Sequence, residues 1–390
     1  MKIVQINVTC GSGSTGKICV AVSKLLTERN TENYILYSSG SSDYPLGRRY
    51  MKPLEVKIQA FRSRLAGNYG FQSLGATKRL IAMLDEIQPD IVHLHNLHGH
   101  NCHLERLFSY LKQKGIKVFW TFHDCWAFTG YCPYYDMASC QKWVTGCGNC
   151  PQKKRYSWFL DRSRYLFEKK KELFTALDLT IVTPSHWLAE QVRQSFLHNC
   201  ETKVIHNGID LSVFQPRRSD FRKKYGCESQ YILLGVAFDW GPRKGLDVFV
   251  ELSKRLDDRF QIVLVGTNDT IDKLLPDQII SIHRTQNQQE LAEIYSAADL
   301  FVNPTREENY PTVNMEAIAC GTPVVTFDTG GSAEILDHTC GASVKKDDID
   351  ALERQIRRFV ERPDLKENCI KRAEAFSDDA RYKEYLGLYE

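Results

Sequence analysis

Glu308 and Glu316 are separated by seven residues in a segment that reads Leu300-Phe-Val-Asn-Pro-Thr-Arg-Glu-Glu-Asn-Tyr-Pro-Thr-Val-Asn-Met-Glu. A strand is expected to end near Asn303 and to lead into a loop carrying Glu307, Glu308 and Asn309. Pro311 fits the start of a helix and Gly321 its end. The next strand follows at once, and Gly330-Gly331 makes a glycine turn beyond it. Helix N-termini and glycine turns present backbone N–H groups that can hold phosphate oxygens. Glu316, one turn into the helix, can accept hydrogen bonds from a ribose diol. Glu308, on the loop, can accept from sugar hydroxyls, and neither carboxylate need transfer a proton.

Other candidate groups lie elsewhere. Arg243 and Lys244, in Asp-Trp-Gly-Pro-Arg-Lys-Gly, could offset charge building on a departing diphosphate. Gly11-Ser-Gly-Ser-Thr-Gly16-Lys17-Ile18 nearly matches the phosphate loop of P-loop NTPases, but Ile18 lacks the hydroxyl that loop uses for magnesium. Gly13 and Gly16 would still permit close backbone approach. His93, His95, His98 and His100 end one expected strand, and His123-Asp124 ends another. The histidine run could suggest a metal, yet strand alternation puts His93 and His95 on one face of a buried sheet. His123 is the better functional candidate, with a hydrogen-bonded core histidine as the plain alternative.

Cys132, Cys140, Cys147 and Cys150 crowd into one glycine- and aromatic-rich loop, with Cys125 just before it. Only the last pair has the tight spacing of a zinc knuckle. A zinc held by all four would staple a loop this polar. Reduced thiols, an iron–sulfur centre and disulfides stay open.

These groups must be positioned by strand–helix alternation. Ile3–Val8, Tyr34–Tyr37, Ile91–Leu94, Val118–Phe122 and Leu179–Thr183 read as buried parallel strands. The pattern restarts with Lys203–Ile205, Tyr231–Val236, Gln261–Val265, Ile279–His283, Leu300–Asn303 and Pro323–Phe327. Amphipathic stretches such as Thr77–Ile87, His186–Phe196, Leu246–Leu256 and Gln289–Ala297 fall between them. The pattern implies an α/β chain with helices on both faces of parallel sheets. The polar stretch around Asn207-Gly208 and Pro216 marks a boundary, giving domains 1–200 and 201–370 and a terminal helix at 371–390 that returns to the first. Tandem doubly wound domains would face a central cleft at the carboxyl ends of their strands.

A chain of 390 residues suits two domains. Its 43% hydrophobic and 25% charged residues exclude disordered and fibrous classes. The net charge of +3 is too small to argue for nucleic acid. No stretch approaches the ~20 apolar residues of a membrane span, and the N-terminus reads as a strand, so a cytoplasmic location is expected. Positive charge concentrates in Arg48–Arg79 and in Lys153–Lys171, where Trp158 and Phe159 stand among the cations. Such stretches suit an anionic membrane surface at the inner face of the cell membrane, with a solvated helix face as the alternative.

Asp299, Glu308, Glu316, Ala317, Gly321, Thr322-Pro323-Val324-Val325, Gly330-Gly331 and Glu334 together resemble the signature of family 4 retaining glycosyltransferases, which have the GT-B fold. Some relatives carry an acidic pair at the first glutamate, so Glu307 competes with Glu308. The resemblance implies two Rossmann-like domains, with a nucleotide-diphosphate-sugar donor on the second and a glycan or polyprenyl-diphosphate-linked acceptor on the first. Hexosyl or N-acetylhexosaminyl transfer with retained configuration would follow, in bacterial surface-polysaccharide synthesis. Lys244 takes the position of the family's diphosphate-facing cation. The family's usual arginine is missing after Gly235, where Val236 stands, and Arg243 is its candidate substitute. His123 would lie beside the transferred sugar and Asp124 on the acceptor side. The glycine-rich loop with Gly13 and Gly16 would lie near the donor phosphates, and no catalytic metal is expected. An epimerase of the same fold and a non-catalytic scaffold remain as alternatives.

Overall fold

The computed structural model describes residues 1–390. The chain divides into two compact units, Met1–His206 with Tyr382–Glu390, and Asn207–Arg381. The first holds β1 (Lys2–Asn7), β2 (Glu32–Tyr37), β3 (Gly47–Arg49), β4 (Ile91–Leu94), β5 (Lys117–Thr121), β6 (Leu179–Thr183) and β7 (Glu201–Val204). They form one parallel sheet in the order β3-β2-β1-β4-β5-β6-β7. β4 is buried at every position and β1 at all but its first. Near-continuous burial is what a parallel sheet covered on both faces requires.

The second unit holds β8 (Tyr231–Val236), β9 (Phe260–Val265), β10 (Ile280–Ile282), β11 (Leu300–Asn303), β12 (Val324–Phe327) and β13 (Gly341–Val344). Their order is β10-β9-β8-β11-β12-β13, again all parallel. Both sheets therefore reverse direction beside their first strand, at β1/β4 and at β8/β11. The loops after those strands diverge there and leave a crevice at the carboxyl edge.

Three sequence expectations change. The strand at Lys203–Ile205, assigned to the second domain, is β7 at the edge of the first sheet, so the first unit runs to His206 rather than to residue 200. The terminal segment is divided: a helix over Leu365–Ala373 stays with the second unit, as do residues up to Arg381, and Tyr382–Glu390 alone joins the first. There Tyr385, Leu386 and Tyr389 pack on Ile3, Ile18 and Val22. Finally, β3 and β13 went unread. Both are short edge strands, and Gly-Arg-Arg and Gly-Ala-Ser-Val carry little of the apolar signal that marks a strand. No helix is long and apolar enough to cross a membrane.

Candidate active site

In the second unit the loops after β8 and β11 bring a cation and a carboxylate together. Lys244 Nζ donates to Glu308 Oε2 at 2.5 Å, with both side chains largely buried. Asn309 N–H donates to Glu308 Oε1 at 3.1 Å. Burial pushes the Glu308 pKa up, but the charge and hydrogen bond of Lys244, the Asn309 N–H and the Arg243 charge together outweigh it and hold the carboxyl below its usual range. Arg243 Nη1 donates to the Glu307 carbonyl at 3.3 Å, so Arg243 braces the same loop. Glu307 itself is buried. Of the two neighbouring glutamates, Glu308 is thus the one paired with the Lys244 charge.

Two glycines let these loops approach. A Cβ on Gly330 (φ +57°) would lie 1.8 Å from the Glu308 carbonyl oxygen, and one on Gly245 (φ +72°) 2.4 Å from that of Pro304. Gly331 N–H donates to the Asn309 carbonyl at 2.6 Å. The Gly330-Gly331 turn therefore supports the Glu308 loop, a role beyond the phosphate contact expected of it. Glu316 sits in the helix Thr312–Ala319, where Tyr295 Oη donates to its Oε2 at 3.1 Å.

Sequence reading missed Arg306. Its guanidinium pairs with Asp247 at 2.7 Å and Asp347 at 2.6 Å and also donates to the Pro242 carbonyl. Its backbone N–H donates to the Arg243 carbonyl at 2.8 Å. Arg306 ties the Lys244 turn to the Glu308 loop. Adjacency to Glu307 was the one signal available, since its partners lie far away in sequence.

In the first unit the loops after β1, β4 and β5 carry the other candidates. Gly13 (φ +67°) opens the helix Gly13–Glu28 and has open space where a Cβ would stand. Gly16 is different: a Cβ there would lie 2.7 Å from Thr9 Oγ1. Its close approach is to Thr9, within the loop's own packing. Ile18 points into the core, as a P-loop threonine would not.

The histidines form a stacked row. His93 lies on His95 at 4.4 Å and His95 on His123 at 5.6 Å between ring centres. Gln5 Nε2 donates to the Cys19 carbonyl at 2.9 Å, which turns its Oε1 to His95 Nε2 at 3.1 Å. His95 must then carry its proton on Nε2 and accept at Nδ1, where His123 Nε2 lies 3.3 Å away. This makes His123 the Nε2–H tautomer. Burial lowers His123 to about 4 and His93 to about 3, so both are neutral near pH 7. His98 Nε2 meets Asp124 Oδ2 at 3.3 Å. Burial lowers the His98 pKa, but Asp124 overrides it and the net shift is upward. Asp124 also accepts from Trp126 N–H at 2.9 Å. The row has its own hydrogen-bond partners throughout, so His93 and His95 read as core groups that position His123.

One exposed surface of this unit stands apart. The helix Pro53–Ala66 leaves Leu54, Ile58, Phe61 and Leu65 exposed by 68%, 41%, 55% and 43%. At ~100° per residue these four fall within a stripe about 60° wide, flanked by Lys57 and Arg64 on one side and Arg62 on the other. Phe61 packs edge-on to Trp158 at 5.5 Å, and Phe159 and Leu160 continue the apolar surface beside Lys153, Lys154 and Arg155.

Two parallel α/β sheets of one strand order are the architecture of the GT-B fold. The family model of Glycosyltransferase Family 4 matches residues 16–213, and that of Glycosyl transferases group 1 matches 218–376. The chain belongs to this glycosyltransferase family. The putative colanic acid biosynthesis glycosyl transferase WcaC of Escherichia coli K12 is 22% identical to it over 412 residues, all of both chains. Among solved structures, sucrose-phosphate synthase from Thermosynechococcus elongatus aligns with a TM-score of 0.73 and 18% identity, covering 100% of this chain and 98% of that one. Anabaena Alr3699/HepE in complex with UDP-glucose aligns at 0.69 and 14%, covering 100% and 99%.

Proposed function

We propose that the chain moves a hexosyl or N-acetylhexosaminyl group from a nucleoside-diphosphate sugar, with retention, to a lipid-linked glycan at an anionic membrane surface. The product would be a bacterial surface polysaccharide. The Lys244–Glu308 pair at the β8/β11 switch point carries this reading. When the bond to the leaving diphosphate breaks, negative charge grows on its oxygens. Lys244 and Arg243 offset that charge, and no catalytic metal is assigned. Glu316 accepts from the ribose diol, and Glu308 accepts from sugar hydroxyls while fixing Lys244. On the second unit the Gly330-Gly331 turn approaches the phosphates, and on the first Gly13 leaves the loop after β1 open to an anionic group. Asp124 meets the acceptor, and His123, kept neutral by burial, stands at the transferred sugar. The likeness to WcaC, named for colanic acid biosynthesis, supports a polysaccharide product. The fold shared with a UDP-glucose complex supports a nucleotide-sugar donor. The exposed stripe on Pro53–Ala66, flanked by cations, supports docking at the inner face of the cell membrane.

A donor screen scoring nucleotide release, with and without a lipid extract as acceptor, tests the reading. Acceptor-dependent release should appear with one donor, need no added metal and fall at least ~100-fold in Glu308→Gln and Glu316→Gln. NMR of the product reads its anomeric configuration. Full activity in both variants would place the chemistry elsewhere. Conversion of the donor without acceptor would point to an epimerase, and binding without turnover to a scaffold.

A further inference from the structure

The loop after β5 folds four cysteines around one small space. Cys132, Cys140, Cys147 and Cys150 all line a cavity of ≈ 20 Å³, closed by Tyr131, Tyr135 and Trp143. That is the room of about one water molecule, enough for a single ion. Two residues of left-handed backbone turn the chain beside these cysteines. Asn149 takes φ +46° within the two-residue spacer of Cys147 and Cys150, and Ser139 takes the same value just before Cys140. Lys142 Nζ donates to the Gly148 and Asn149 carbonyls at 3.1 and 2.9 Å and pins the turn.

Burial alone pushes the Cys132, Cys147 and Cys150 thiols up, so a bound cation has to ionise them, and two neighbours would then stabilise the sulfur charge. Gly130 N–H donates to Cys147 Sγ at 3.2 Å, the contact a metal-bound thiolate commonly receives. Lys170 is 0% exposed, and its Nζ donates to the Trp126 and Thr129 carbonyls at 2.7 and 3.0 Å. The Trp126 ring face, 3.5 Å from Nζ, offsets part of the cost of burying the ammonium, and the neutral carbonyls do not offset the rest. Cys147, Cys132 and Asp124 are the groups whose negative charge would act on it. Four thiolates on a divalent ion leave two negative charges, which Lys170 would partly balance.

We propose that Cys132, Cys140, Cys147 and Cys150 bind one structural zinc ion as a tetrathiolate, with Lys170 and the Gly130 N–H as its outer support. Tetrahedral sulfur ligation at ~2.3 Å suits zinc and would draw the sulfurs in from the cavity wall. Binding releases the thiol protons, so the ion's affinity is folding energy for a loop poor in regular structure. The site lies next to the reaction machinery. Lys170 holds the carbonyl of Trp126, whose N–H holds Asp124, and Cys125 N–H donates to the Pro133 carbonyl at 3.0 Å. Zinc would thereby act as a positioning element for Asp124 and His98.

The test is metal analysis of the full chain purified without chelator. About one zinc per chain is expected, and mercurial titration of the cysteines should release it to a colorimetric indicator. Cys147→Ser and Cys150→Ser should each retain less than ~0.2 zinc per chain, while Cys200→Ser, outside the loop, keeps a full complement. Cobalt substitution should give the strong visible bands of a tetrahedral thiolate site. The proposal is overturned by less than ~0.2 zinc in the unmodified chain, by iron in its place, or by zinc that survives loss of Cys147 or Cys150. Should the serine variants fail to fold, mercurial release from the unmodified chain decides alone: no zinc released sinks it.

Discussion

At the scale of single residues, the site is set by pairs whose partners fix charge or tautomer. Gly330 carries a sharp expectation. Alanine there would put a methyl group 1.8 Å from the Glu308 carbonyl oxygen, so the loop holding Glu308 must move. A displacement of about 1 Å can cost ~100-fold in rate. Gly330→Ala should therefore lose about as much turnover as Glu308→Gln while melting within a few degrees of the parent; unaltered turnover would remove Gly330 from the positioning role. The histidine row makes a second prediction. Burial holds His93 at about 3 and His123 at about 4 in the folded chain, whereas an unfolded histidine titrates near ~6.5. Between those values the unfolded chain binds more protons, so stability rises with pH there. It should be complete above pH 6.5 and fall as pH drops toward 4. His98, raised by Asp124, works in the opposite sense but is one group against the three lowered histidines of the row. Thermal melts from pH 7.5 to 4 check this, and replacing His93 by Gln should flatten the acid limb. The glutamate pair and the cations were legible in the sequence because their types and spacing carry the chemistry. The tautomer of His123 was not, because Gln5 and Cys19 fix it from ~90–120 positions away.

At the scale of elements, most strands were readable because parallel strands are continuous apolar runs. Leu179–Thr183 and Tyr231–Val236 fall where their residues predicted. The edges escaped for the converse reason: β3 and β13 are half solvated and carry glycine, arginine and serine. The helix Pro53–Ala66 shows what composition alone hides. Its cations were visible in the sequence, but nothing there said that Leu54, Ile58, Phe61 and Leu65 would face outward together. These four side chains and the flanking Lys57, Arg62 and Arg64 are the groups that the proposed membrane docking would use. Leu54→Ser with Phe61→Ser should cut co-flotation with vesicles of phosphatidylglycerol and phosphatidylethanolamine by at least ~10-fold, since each removed side chain is worth ~1.5–3 kcal/mol of burial. Donor binding, read in solution, should not change. Equal flotation of the double variant would return this surface to an ordinary solvated face. Arg306 belongs to the same scale. It links two loops through Asp247, Asp347 and Pro242, and Arg306→Ala should raise the donor KM and lower kcat together.

At the scale of the whole molecule, the same strand order is used twice, and each copy places its candidate groups on the loops beside its own switch point. The second copy is complete within Asn207–Arg381, whereas the first takes its last piece from the far end of the chain. Tyr385, Leu386 and Tyr389 fill the core beside Ile3, Ile18 and Val22, and Tyr389 Oη bonds His93 Nδ1 at 2.6 Å. Three large side chains at ~1.5–3 kcal/mol each come to roughly 4–9 kcal/mol, comparable to the ~5–15 kcal/mol by which a domain is stable. Their removal also leaves the buried Nδ1 of His93 without its partner. Ending the chain at Arg381 should therefore unfold or strongly loosen the first unit and spare the second. Hydrogen exchange can tell the two apart: amides of β1 and β4 should lose protection, while those of β8 and β11 keep it. Uniform loss would mean that the two units fold as one cooperative body, and uniform retention that the terminal residues merely coat the surface. The milder Tyr389→Phe keeps the ring and removes only the bond to His93. It should cost about 1 kcal/mol and act on the first unit alone.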